Sequence, residues 1–301
     1  MVTRKGISMK LTIKTKELTQ IISNAVKFVD KNYRLAMSYH QINITARGMG
    51  ISVSTNPPAS YFCGGMAANI ASDGRVSING FDLLKALKAI KGDEVTLELD
   101  DTTLKLSTDS LTLSVGISET LPECDMPEFA NAIPYVDKEI LCNALDAVTY
   151  AMSKDETRYQ LCGVSLSNNG KDDNLTVAAT DGHRLAIVDT KIGIKLPAKG
   201  VILPSLDVKA LVSLLQQTKQ EYISIGYSDK YFLLQTDTCK VVIPFISAEY
   251  PDFRAILPKD LGKTPTVTTY TKDMINAVKT LAALSSEKKT KAVTIQFGDS
   301  M

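Results

Sequence analysis

His183 stands in Asp181-Gly182-His183, where a carboxylate two residues away is placed to orient an imidazole. Such a base needs a nucleophile to activate and a donor for the developing oxyanion. The sequence carries no G-x-S-x-G elbow, no Walker loop and no H-E-x-x-H. Gly182 reads instead as the residue of a tight turn between strands. His40, the other histidine, lies in SYHQINITARG, which alternates like a strand, and is assigned no role. The five cysteines are Cys63, Cys124, Cys142, Cys162 and Cys239, and none forms a C-x-x-C pair. Scattered and odd in number, they argue against a disulfide framework and against a zinc site, and for a reducing compartment. No catalytic residue, metal or cofactor is expected. A hydrolase working through His183 is the enzymatic alternative.

The elements that would position any site come in repeats. Lys16-Glu17-Leu18, Lys138-Glu139-Ile140 and Lys272-Asp273-Met274 each open a stretch with apolar residues at three- and four-residue spacing, the pattern of an amphipathic helix. In the first, Leu18, Ile21, Ile22, Ala25, Val26 and Val29 fall on one stripe. An extended stretch precedes each: MKLTIKT, IPYVD and TVTTYT. A second helix recurs in VSINGFDLLKALKAIKG and VILPSLDVKALVSLLQQ, with Asp82 and Asp207 at the same place in the first turn, where an acid suits the helix dipole. Between the helices, VTLELDDTTLKLSTDSLTLSVGI and YISIGYSDKYFLLQTDTCKVVIPFI alternate as strand meanders, the latter turning at Ser228-Asp229-Lys230. Two helices per unit in constant register argue against coincidence.

The expected fold class is α+β, with repeated domains that each pack two helices on antiparallel sheet. The boundaries fall at 1–128, 129–250 and 251–301. The Pro-containing ETLPECDMPEFANAIP acts as linker, and the third segment, with one helix and the strand VTIQF, reads as a truncated domain. A length of 301 residues suits more than one core. No run approaches the ~18 apolar residues of a membrane span, and the polar N-terminus has no secretory h-region. Met9 is a candidate alternative start. With 34 basic and 33 acidic residues, a globally basic nucleic-acid binder is excluded, while a locally basic face is not. The expected location is cytoplasmic.

YAMSKDETRYQLCGVSL, LTVAATDGHRLAIVD and SAEYPDFRAILP together resemble the bacterial replicative sliding clamp, the beta subunit of DNA polymerase III. The matching elements are Ser153–Arg158, Gly163-Val164, Ala179–Ala186 and Tyr250-Pro251-Asp252-Phe253. The resemblance implies the DNA-clamp fold and a head-to-tail homodimer ring around double-stranded DNA, with helices lining the hole. The partners it implies are the DNA polymerase III catalytic subunit and the clamp loader, which insert a peptide into a groove; no membrane partner is expected. The chain would then be a processivity factor and not an enzyme; the alternative is a non-encircling replication adaptor. Ala255 stands where the family often has a second basic residue.

By that resemblance, Leu161, Thr180, Gly182, His183, Arg184, Leu185, Pro251 and Ile256 line the client-peptide groove, which suits one or two apolar anchors. The DNA-facing set is Lys31, Arg34, Lys85, Lys88, Lys91, Lys154, Arg158, Tyr159 and Gln160. Cations segregate onto the helical segments: Lys16, Lys27, Lys31 and Arg34 outnumber Glu17 and Asp30, and Lys85, Lys88 and Lys91 outnumber Asp82. A cation-lined face suits sequence-blind phosphate contact. Ring closure is expected at the strand holding Leu111 and Leu113 and at the helix end near Ala283 and Leu284. A truncated third domain would leave Met274, Ile275, Val278, Leu281 and Leu284 on an uncovered stripe. The chain as written is then expected to be mainly monomeric or to aggregate, and to load poorly onto DNA.

Overall fold

The computed structural model describes residues 9–29, 40–56, 60–119, 132–168, 173–257 and 268–284. The chain divides into two compact units, Met1–Pro251 and Asp252–Met301.

The first unit runs twice through a similar order of elements, with five strands between the helices of the first pass and four between those of the second. The first pass has β1 (Lys10–Lys14), α1 (Thr15–Ala25), β2 (Gln41–Arg47), β3 (Gly50–Thr55), β4 (Tyr61–Ala67), β5 (Asn69–Ser72), β6 (Gly74–Asn79), α2 (Gly80–Ala89), β7 (Glu94–Asp100), β8 (Thr103–Ser107) and β9 (Thr112–Ser118). The second has β10 (Ile133–Asp137), α3 (Lys138–Thr149), β11 (Gly163–Asn168), β12 (Asn174–Thr180), β13 (Leu185–Gly193), β14 (Val201–Pro204), α4 (Ser205–Gln217), β15 (Tyr222–Tyr227), β16 (Tyr231–Gln235) and β17 (Cys239–Pro244). This is the expected α+β organisation. The boundary read at residue 128 lies outside the described residues.

Local chemistry sets the helix limits. Asn79 accepts hydrogen bonds from the N–H groups of Phe81 and Asp82 (2.9 and 3.3 Å), fixing the start of α2. Asp137 does the same for Glu139 and Ile140 at α3 (2.8 and 3.0 Å). Each helix buries its apolar stripe: Leu18, Ile21, Ile22 and Ala25 on α1, Leu141, Ala144, Leu145 and Val148 on α3. The strands alternate as expected, β1 and β7 turning Leu11, Ile13, Val95 and Leu97 into the core.

Two sheets serve the second pass. One has the order β13-β12-β11-β14, all antiparallel, and carries α3 and α4. The other, β10-β15-β16-β17, does not end at β17. It pairs onward with β4, from Cys239↔Gly64 to Val242↔Tyr61, and continues through β3, β2 and β6. The two passes thus share one sheet across their seam. Their helices meet there as well: the 3-10 turn Val26–Phe28 that ends α1 packs against α4, and Gln20 donates to Gln217.

Three expectations shift in detail. His40 precedes the strand that begins at Gln41, and its ring packs edge-on against Phe81 at 6.3 Å. Leu111 is not in the strand with Leu113; its carbonyl closes a turn by accepting from Thr108 N (2.8 Å), and β9 begins one residue later. TVTTYT gives no strand among the described residues, since residues 268–270 run straight into a helix.

The second unit holds a 3-10 turn, Phe253–Ile256, and α5 (Thr271–Leu284). Ile275, Val278 and Leu281 lie on α5 and are each more than two-fifths exposed. Met274 is half-buried, and the side chain of Leu284 lies outside the described residues, as does VTIQF.

Candidate functional site

The turn between β12 and β13 is knit by its own side chains. Asp181 Oδ1 accepts from the N–H groups of His183 and Arg184 at 2.9 and 3.1 Å, an Asx turn. Its Oδ2 pairs with Arg184 Nε at 3.0 Å. Thr180 Oγ1 donates to the Arg184 carbonyl (2.7 Å) and accepts from Gly182 N (3.0 Å). Gly182 has φ +89°, and a Cβ there would sit 2.8 Å from a terminal nitrogen of Arg158. Glycine is therefore required twice over, by backbone conformation and by the guanidinium beside it. The His183 and Arg184 N–H groups hold the Asp181 carboxyl below its ordinary value.

Three partners brace this turn. Arg184 lies over the Tyr150 ring at 5.6 Å, a cation–π contact on a ring 60% exposed. Tyr250 is buried, and its Oη accepts from Thr180 N at 2.8 Å. Burial pushes the Tyr250 phenol up to about 12. The third partner is the 3-10 turn Glu156–Leu161, capped by Asp155. Asp155 accepts from the Thr157 hydroxyl (2.6 Å), from Thr157 N (3.1 Å) and from Arg158 Nε (3.1 Å). The Thr157 contacts and then the Arg158 guanidinium hold that carboxyl below its usual range.

Of the groove set, Thr180, Gly182, His183, Arg184 and Leu185 are therefore one turn and the strand end that follows it. Leu161 is buried behind it, its carbonyl accepting from Ser153 N at 3.0 Å. Pro251 is exposed at the end of the first unit, and Ile256 is 72% exposed in the second. Tyr150, Asp155 and Tyr250 carried no assigned role from sequence, and Asp181, considered there as an orienter of the His183 imidazole, instead accepts from the His183 backbone N–H. The D-G-H-R spacing is an Asx-turn signal, which does point to Asp181; nothing local marks Tyr150 as the platform for Arg184.

Of the DNA-facing set, Lys85 and Lys88 are exposed one turn apart on α2, and Lys91 is exposed just beyond it. Lys154 is exposed, Arg158 and Gln160 are half-buried, and Tyr159 is 55% exposed, so its ring does not cap the core. Lys31 and Arg34 lie outside the described residues. Lys27 does not serve the cationic face. Its ammonium donates to Ser213 Oγ (2.9 Å) on α4 and to Asn24 Oδ1 (3.1 Å), and burial lowers its pKa. It ties the two passes together. Of the ring-closure set, Leu111 and Ala283 are exposed and Leu113 is half-buried.

Among the described residues, no cluster of His, Cys, Asp and Glu is arranged to hold a metal, and no helix is long and apolar enough to cross a membrane.

Residues 135–252 match the family model for the central domain of the DNA polymerase III beta subunit. The chain is 24% identical over 260 residues to a beta sliding clamp of Rickettsia bellii, spanning 84% of this chain and 67% of that protein. It is 25% identical over 293 residues to the beta sliding clamp of Chlamydia muridarum, 93% of this chain and 75% of that one. Its fold matches the sliding clamp of Bartonella birtlesii solved with griselimycin, with a TM-score of 0.84 at 20% identity over 93% of this chain and 76% of the other. The beta subunit of Thermotoga maritima gives a TM-score of 0.81 at 22% identity, covering 93% and 75% of the two chains.

Proposed function

We propose that this chain works as a sliding clamp of the bacterial DNA polymerase III beta-subunit family, a processivity factor that tethers a replicative polymerase to double-stranded DNA. The observation that carries the reading is the continuity between the two passes. The β17–β4 pairing extends one sheet across the seam, while Lys27–Ser213 and Gln20–Gln217 join the helices on the other layer. A wall of this build can be propagated from domain to domain with helices on one side throughout. Its helices need supply only sequence-blind phosphate contacts, because topology and not affinity holds an encircling protein on the duplex.

On this reading the domains are 1–128, 129–250 and 251–301, a full-length chain assembles as a head-to-tail homodimer, and the protein works in the cytoplasm as a non-catalytic accessory. Lys85, Lys88, Lys91, Lys154, Arg158, Tyr159 and Gln160 face DNA, with Lys31 and Arg34. The turn Thr180–Leu185, braced by Tyr150 and Tyr250, forms one wall of the seat for the polymerase subunit and the clamp loader, with Pro251 at its apolar side. Leu111, Leu113, Ala283 and Leu284 serve ring closure. Retention on DNA tests the central claim. Protein loaded onto nicked circular DNA should stay through gel filtration in high salt and be lost when the circle is cut. Equal retention on circular and linear DNA would leave a non-encircling adaptor in its place.

A further inference from the structure

The strands that open the two passes are flanked differently. In the first pass β1 is paired on both sides, by β7 and by β5. In the second, β10 pairs with β15 and ends its sheet among the described residues. The bare side of β10 does not invite another strand. Pro134, exposed there, has no N–H to offer, and the register shifts between Ile133 and Val136. What the edge presents instead is Tyr135, 81% exposed and at φ +62°. A left-handed backbone disfavours a bulky aromatic residue, whereas glycine or asparagine would take this place with less strain. Blunting of the edge therefore explains the proline and the bulge, but not the tyrosine.

Tyr135 lines a depression of about 470 Å³ between β10, the start of β15 and the turn from β16 to β17. Pro134 and Tyr135 form one side, Glu221 and Tyr222 another, Thr236 and Asp237 the third. Two carboxylates and two exposed phenols share this space, and no lysine or arginine is among its described lining residues. The frame is held by cross-links. Gln220 Oε1 accepts from Asp237 N (2.7 Å) and its Nε2 donates to Tyr222 O (2.5 Å), joining the turn to β15. Lys138 N donates to Glu221 O (2.9 Å), joining β15 to the end of β10. The Lys138 ammonium is taken up by Thr218 O at 3.1 Å. The Glu221 carboxylate accepts from the Tyr222 hydroxyl and raises its pKa, with desolvation and Asp137 adding to the effect, so the local field is negative.

Aromatic faces beside carboxylates are suited to an organic cation. A guanidinium fits best, because it stacks on a ring and donates in parallel to a carboxylate, whereas an ammonium is a strongly hydrated point charge. The same carboxylates repel a phosphate backbone. We propose that this depression docks an arginine side chain from a basic segment of a partner protein, against the rings of Tyr135 and Tyr222 and the carboxylates of Glu221 and Asp237. The site is built on the sheet of β10 and β15 and not on that of β12 and β13, so it depends neither on the client seat nor on the processivity reading.

The probe is the acetylated, amidated peptide Gly-Arg-Gly-Arg-Gly, titrated against the 301-residue chain at low salt by saturation-transfer NMR. Glu221→Gln/Asp237→Asn keeps the shape of the walls and removes their charge, and it should weaken the peptide about tenfold or more. The same peptide with citrulline for arginine keeps the side-chain shape without the charge and should not bind. Tyr135→Gly should leave the melting temperature unchanged or raise it, by relieving the backbone, while weakening the peptide about threefold or more. Failure of the wild type to bind the arginine peptide at millimolar concentration would overturn the proposal. Equal affinity for the citrulline peptide, or full affinity in the double variant, would do the same. A destabilised Tyr135→Gly chain that still binds like the wild type would make the tyrosine a structural residue and overturn it too. The double variant leaves the backbone untouched, so it decides the matter even if Tyr135→Gly does not fold.

Discussion

The first helices of the two passes open on the same words and close their hydrogen bonds differently. Lys16-Glu17-Leu18 begins α1 and Lys138-Glu139-Ile140 begins α3, with the same stripe of buried apolar residues behind them. One position earlier stand Thr15 and Asp137. Asp137 turns back to bond two N–H groups of its own helix, whereas Thr15 Oγ1 bonds nothing. The apolar repeat was kept because both helices must pack on a sheet; the polar repeat was not, because what faces the helix start differs. At its first helix start, at the Asx turn of Asp181 and at the phenol under Thr180, the second pass satisfies its own donors. In the first pass the start of α1 has no side-chain cap.

The strongest way to break the self-satisfied half is at Tyr250. Tyr250→Phe keeps the buried ring and removes the acceptor of Thr180 N, leaving that N–H unpaired. Denaturant unfolding should show a loss of about 1–3 kcal/mol. The phenol also gives an alkaline signature. Its folded pKa is raised to about 12 from the ordinary 10, so its contribution is complete below pH 10 and is lost as pH rises toward 12. Stability of the wild type should therefore fall over that window more steeply than that of Tyr250→Phe. Parallel curves would mean the phenol is not held neutral by the fold.

Next in size is the contrast between the helix starts. Asp137→Ala removes a cap that serves two N–H groups and should cost about 1 kcal/mol. Thr15→Ala, at the matching position, should cost much less, because no bond is lost. Lys14→Asp sharpens the test: at the N-cap position of α1 it should stabilise the chain by about 0.5–1 kcal/mol by supplying the missing cap. Equal losses from the two alanine substitutions would erase the distinction between the passes.

Legibility in the sequence followed the range of the forces involved. Apolar spacing reports burial, a local property of helices and strands, so the repeat, the α+β class and the meanders could be read directly. The turn at Gly182 was readable for the same reason, since D-G-H-R specifies an Asx turn within four residues. Contacts between distant segments were not readable. Lys27 looked like one more cation of a basic face, and only the fold shows α4 bringing Ser213 to it. The β17–β4 pairing, which joins the passes, leaves no mark in either strand, because both are simply alternating. Tyr150 under Arg184 is of the same kind: the aromatic and the guanidinium are far apart in sequence, and neither has a neighbour that announces the other. The unpaired Thr15 hydroxyl was invisible because its surroundings are set by segments distant in sequence.

The smallest expected effect lies at acid pH and concerns the two carboxylates that hold the exposed turns of the second pass. Asp181 is held below its ordinary value first by the N–H of His183, and Asp155 first by the hydroxyl of Thr157, with Arg184 and Arg158 adding to each. The folded pKa is depressed in both. Their contribution is thus fully present above the ordinary carboxylate pKa near 3.8 and is lost as pH falls through the lower folded values. Both groups sit at the surface, so salt should screen the charge part while leaving the N–H bonds. Asp181→Asn retains an acceptor for the His183 N–H and lacks the titration. Its stability should decline less than that of the wild type between pH 4 and 2, while near pH 7 it should lose the Arg184 pair and loosen that guanidinium from Tyr150. A wild-type and an Asp181→Asn acid limb that superimpose would show that the turn is held by backbone geometry alone. The carboxylate would then have to be sought as a contact for an incoming client and not as a brace for the turn.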